Sequence, residues 1–153
     1  MNSTRIIPLS LLAALFLEMS GFFVLPVIAQ GLDPQTSIQT FPVGVAPRSV
    51  VFDGANIWVT SAQSYDLTKL RASDGTLVGT FPAGGFTLYG VFDGANIWVT
   101  EFSGNTVAQL SARTGAVRHR YAVDSSPVGI CFDGTSIWAA GYSTKVDKIS
   151  KGH

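Results

Sequence analysis

Beyond residue 30 apolar and polar positions alternate with a period of two, in short runs interrupted by Gly, Asp, Asn and Ser. Alternation of this kind marks half-buried strands, and no stretch there carries the 3.6-residue rhythm of a helix. Ser49–Phe52 reads as a short strand and Asp53-Gly54-Ala55-Asn56 as a turn. Ile57–Thr60, β-branched and aromatic, reads as a second strand. Asp66–Arg71 makes a third, Ser73-Asp74-Gly75 a hairpin turn, and Thr76–Phe81 a fourth.

The pattern then recurs. Trp58, Trp98 and Trp138 are 40 residues apart, as are the Phe-Asp-Gly triplets at 52–54, 92–94 and 132–134, and Phe41, Phe81 and Tyr121. Residues 51–60 and 91–100 are the same string, VFDGANIWVT, and the third unit keeps it as CFDGTSIWAA. Four short antiparallel strands in about 40 residues make the blade of a β-propeller. The fold class is therefore all-β, with units at about 41–80, 81–120 and 121–150. A parallel β-helix is the competitor, but its coils are shorter and do not need two Asp-Gly hairpins per unit.

The third unit is one residue shorter near Thr144 and holds only three strand-like segments. Residues 36–44, with Phe-Pro-Val-Gly, read like the fourth-strand segment Thr76–Gly84, with Phe-Pro-Ala-Gly. The extra N-terminal strand would complete the last blade, giving three blades in all. Rings hold about four to eight. Two outcomes are open: a homodimer of six blades, each N-terminal strand completing its partner's third blade, or an incomplete fragment without function.

Residues 1–29 follow a different rule. Arg5 precedes apolar stretches at 9–17 and 22–29, and Val27-Ile28-Ala29 offers small residues for signal peptidase. The segment reads as a secretory signal, with the repeat region at 30–153 exported to the periplasm or the exterior. The alternative is an uncleaved anchor from Ile6 to Ala29, the one route to the membrane. The single Cys131 has no internal disulfide partner, and between Ile130 and Phe132 it reads as a small buried hydrophobe.

Composition narrows the partners. Charged residues are only 13% of the chain, about half the usual share, and ten Lys+Arg balance ten Asp+Glu. No basic excess exists to hold a phosphate backbone, so nucleic acid is not an expected partner. The Arg118-His119-Arg120 cluster reads as a charged outer strand that discourages mispairing.

On the Phe-Asp-Gly-Ala-Asn-Ile-Trp-Val-Thr string, the Leu-bearing third strand and the Ser-Asp-Gly or Arg-Thr-Gly turn, residues 36–150 resemble exported bacterial propellers. These are the YVTN and NHL-like group, which includes virginiamycin B lyase-like proteins. The resemblance implies the fold; function must come from the site. Its lyase members use a histidine and acids near the axis with a divalent metal. Here His119 falls on the outer fourth strand and His153 at the last position, so no lyase histidine carries over.

Positions where the units differ in the loops around the axis are the informative ones. They nominate Arg48, Tyr89, Glu101, Phe102 and Tyr142 as binding candidates, with Tyr65 and Asp66 nearby. Aromatics with one Arg and one Glu suit a recognition patch. Asp53, Asp93 and Asp133, each before Gly, are assigned to turns, and the three Trp to contacts between blades. The leading expectation is an exported binding or scaffolding propeller for a protein or small-molecule ligand, without catalysis, cofactor or metal. The alternative is a metal-dependent, lyase- or lactonase-like enzyme working in the axial channel.

Overall fold

Each unit is organised by one aspartate. Asp53 Oδ1 accepts the N–H groups of Ala55 (3.0 Å) and Asn56 (2.7 Å), closing a turn in which Gly54 takes φ 97°. That turn joins strand β1 (Pro47–Phe52) to β2 (Asn56–Ser61). The other carboxylate oxygen, Oδ2, accepts the indole N–H of Trp58 at 2.8 Å. One side chain thus closes the hairpin and orients the large ring on its second strand. Asp93 does the same for Trp98 (2.7 Å) and Asp133 for Trp138 (2.6 Å).

The computed structural model describes residues 37–124 and 126–150. The chain divides into two compact units, Met1–Gln39 and Thr40–His153, and every strand below lies in the second. The leader at 1–29, His153 and the first residue of the extra segment lie outside the described residues.

β1 and β2 continue into β3 (Asp66–Arg71) and β4 (Leu77–Pro82), forming an antiparallel sheet in chain order. The second sheet is built identically from β5 (Thr87–Phe92), β6 (Asn96–Glu101), β7 (Thr106–Ser111) and β8 (Val117–Ala122). The third contains β9 (Pro127–Phe132), β10 (Ser136–Gly141) and β11 (Val146–Ser150), in the order β11-β10-β9. These are three propeller blades, the last with three strands among the described residues. Residues 40–46 form no sheet strand within the chain. The first strands of the blades, β1, β5 and β9, neighbour one another and are innermost.

Pleating puts Trp58 on the same face as its cross-strand partners Val51 and Lys69. That face meets the next blade, where Trp58 and Leu67 pack with Ile97, Val99 and Leu110. Trp98 and Val107 meet Ile137, Ala139 and Ile149 in the same way. Phe81 at the end of β4 lies 5.3 Å from the Trp58 ring, and Tyr121 lies 5.3 Å from Trp98. Polar ties join the blades as well: the Thr60 hydroxyl donates to Leu88 O (2.7 Å) and the Thr100 hydroxyl to Val128 O (3.2 Å). The Lys69 ammonium crosses to Ala112 O at 2.7 Å while standing 4.6 Å over the Trp58 ring.

Trp138 is the exception among the three rings. No blade follows it among the described residues, so it is half-buried, covered on one side by Lys148 at 4.9 Å. The same circumstance corrects the reading of Cys131 as a buried hydrophobe. It pairs with Trp138 on this outward face and is exposed.

Trp98 is buried at the centre of the second interface, so Trp98→Ala should destabilise by about 3–5 kcal/mol, read as a lowered thermal midpoint. Burial pushes the Asp93 carboxyl up, but the Trp98 indole and the amides of Ala95 and Asn96 outweigh it and hold it at about 2, below the ordinary 3.8. A depressed carboxyl stabilises fully above its unfolded value and loses that contribution as pH falls through the folded one. Stability should therefore decline between pH 3.8 and about 2. In Asp93→Asn that decline should be shallower in denaturant titrations at successive pH values.

Candidate recognition face

The loops from fourth strand to first and from second strand to third lie on one side of the blades. They are held together by repeated backbone bonds: Ala62 N–H to Ala46 O (3.0 Å), Phe102 N–H to Phe86 O (2.9 Å) and Tyr142 N–H to Ser126 O (3.4 Å). Each incoming linker amide also meets a polar side chain of the blade it enters. Gly44 N–H donates to Thr68 (3.3 Å), Gly84 N–H to Glu101 (2.7 Å) and Asp124 N–H to Asp147 (3.0 Å).

Two of the nominated residues come together here, with a third that the sequence reading passed over. Phe102 sits edge-on to Phe86 (centroids 6.1 Å, 64°) and to Tyr142 (5.8 Å, 90°). The three rings form a continuous run from the linker into the second blade to the loop of the third. Phe102 and Phe86 are half-buried, and Tyr142 stands 76% exposed. Phe86 replaces Ala46 and Ser126 of the other units, the same unit-to-unit difference that singled out Phe102.

The acids go elsewhere. Glu101 is 1% exposed, and besides Gly84 N–H its carboxylate accepts the Thr106 hydroxyl (2.6 Å) and Arg120 Nε (3.0 Å). Arg120 was expected to be simply a solvated rim charge; it is half of this tie. In blade one the acid stands on the other strand, Asp66 facing Ser61 where Glu101 faces Thr106, but the Ser61 hydroxyl makes no bond to it. Asp66 accepts the Ser64 hydroxyl (3.0 Å), which itself accepts Val45 N–H (3.0 Å). Both acids therefore fasten linkers. An acid opposite a hydroxyl at a five-residue interval was the sequence signal for this, and it changed strands between units.

Of the remaining candidates, Arg48 and Tyr89 are exposed on the innermost strands β1 and β5, apart from the aromatic run. Tyr65 is half exposed at φ 56°, and its counterpart Asn105 has φ 51°. Its carbonyl accepts Ala83 N–H (2.9 Å), so its backbone closes the loop while its ring faces solvent. His119 lies on the outer strand β8 against Tyr121 (4.3 Å). Among the described residues no group of three or more His, Cys, Asp or Glu side chains is placed to hold a metal ion.

No family model matches the chain, and no curated protein does. Among solved structures it is similar to hydrazine synthase of Kuenenia stuttgartiensis, with TM-score 0.65 and 18% identity, over 78% of this chain and 36% of that one. It is also similar to a streptogramin B lyase, with TM-score 0.50 and 21% identity, over 68% and 40%. The likeness is one of fold. What they share with this chain is the propeller blade, and the chain spans less than half the length of either.

Replacing the buried carboxylate by an amide keeps one oxygen for Gly84 N–H, but removes the charge facing Arg120 and sets an N–H₂ donor where Arg120 Nε and the Thr106 hydroxyl donate. Glu101→Gln should therefore lower stability by about 1–3 kcal/mol in chemical denaturation. Tyr142→Ala, on the exposed end of the run, should stay within about 0.5 kcal/mol of the parent.

Proposed function

We propose that this chain is an exported β-propeller recognition module, without catalysis, that binds a protein partner through the run Phe86–Phe102–Tyr142. The observation that carries the reading is the edge-to-face packing of three rings from two adjacent blades on one loop face. Mutual packing orders Phe86 and Phe102 before a partner arrives, which reduces the entropic cost of binding. Tyr142, largely exposed, offers an apolar ring with a hydroxyl, the side-chain type that dominates protein interfaces. A ridge of this kind suits a macromolecule that supplies the pocket, whereas small-molecule sites are concave. The metal-dependent alternative draws no comparable support, because Glu101 and Asp66 are engaged in holding linkers.

The test is selection of peptide ligands from a displayed library on the full chain, followed by affinity measurement with variants. Phe102→Ala and Tyr142→Ala should each weaken the selected ligands by roughly 30-fold, the effect of losing a contact worth about 2 kcal/mol. His119→Ala, on the outer strand, should leave affinity unchanged. Ligands indifferent to both aromatic variants, or no selectable ligand at all, would overturn the reading.

A further inference from the structure

The two interfaces between blades repeat with the 40-residue period, so they define what each outward face of the series is shaped to meet. On the free face of blade one, Val50 is 69% and Phe52 57% exposed, whereas their counterparts Gly90 and Phe92 are partly covered by the preceding blade. On the free face of blade three, Trp138 and Cys131 occupy the places of Trp58 and Val51. Lys148 stands over Trp138 as Lys69 stands over Trp58, but Lys69 goes on to donate to Ala112 of the next blade. The residue one period before Ala112 is Ala72, in blade one.

Phe41 supplies the decisive match. Phe81 lies so closely on Gly115 of the following blade that a Cβ there would collide with its ring, and Gly115 has φ 75°. Phe41 lies on Gly75 in the same way, and Gly75 has φ 70°. Its linker shares one backbone bond with the next: Ala62 N–H donates to Ala46 O as Phe102 N–H does to Phe86 O. Phe41 thus occupies the position of a fourth-strand ring from a blade preceding the first. The sheet that lacks a fourth strand among the described residues is β9–β11.

We propose that a second copy of this chain covers both free faces, the third blade of each copy packing on the first blade of the other. The segment carrying Phe41 then lies beside the partner's β11 and its ring against the partner's Trp138. A closed ring holds about four to eight blades, and two copies of the three blades described give six. A two-fold axis makes the two contacts identical, so no face stays open. The inference is independent of the recognition reading.

Light scattering should give twice the mass of one copy. Cys131, the sole cysteine, should resist thiol reagents until denaturant is added. Geometry is tested by Val50→Cys. A Cβ on Gly90 would lie 3.1 Å from Val51 Cγ2, and one period earlier this contact becomes Val50 against the partner's Cys131. Mild oxidation should convert this variant into a covalent two-chain species and nothing longer. Four results would each overturn the proposal: a one-chain mass, a freely labelled Cys131, a ladder of cross-linked chains, or a dimer that Val50→Cys leaves uncross-linked.

Discussion

Everything in the blades depends on the aspartate that closes the first hairpin while accepting the indole N–H of a tryptophan five residues later. A turn alone would set the register of two strands, and an apolar ring alone would drive sheets together in any orientation. Joined in one side chain, the two fix which face of the sheet the ring leaves from and at what height. The bonds that do this also hold the carboxyls of Asp53, Asp93 and Asp133 below their ordinary range. The network favours the charged form in all three blades, whether the aspartate is partly covered or open to water.

Between blades the two roles fall to different side chains. Apolar packing of Trp58 with Ile97 and Val99 supplies the contact, and polar groups select one alignment. Thr60, Thr100 and Lys69 each place a donor on a carbonyl of the following blade, and such donors tolerate little sliding. Blade three has Ala140 where its predecessors have threonine. Its outward face keeps the ring and the lysine but lacks that hydroxyl.

The blade was legible because its signals are local: alternation, Asp-Gly turns and a strict period each show within a few residues. β1 begins two residues earlier than alternation indicated, since Pro47 still pairs with Ser61 across a bulge that composition does not mark. The aspartates were assigned to turns, but their bonds to the indoles were not visible, because those depend on the twist that brings residue i+5 back over the hairpin. At the site, Phe102 and Tyr142 stood out by variation between units, and Phe86 would have done so under the same comparison. Glu101 could not be read correctly from variation alone. A buried carboxylate fastening a linker and an exposed one awaiting a ligand differ only in their neighbours, and Arg120 is nineteen residues away.

The identical strings at 51–60 and 91–100 have a consequence for how the chain finds its structure. Each hairpin is closed by the same local contacts, so nothing within the string itself tells one place from the other. Repeats of this similarity are prone to misassembly by exchange of equivalent parts. The discriminating residues are those where the units disagree. Glu101 with Arg120 recognises the linker at Gly84, and Asp66 with Ser64 recognises the one at Val45. With the acid on the third strand in blade one and on the second in blade two, each linker meets its own set of partners, and the ties that hold the linkers are what tell two near-identical blades apart.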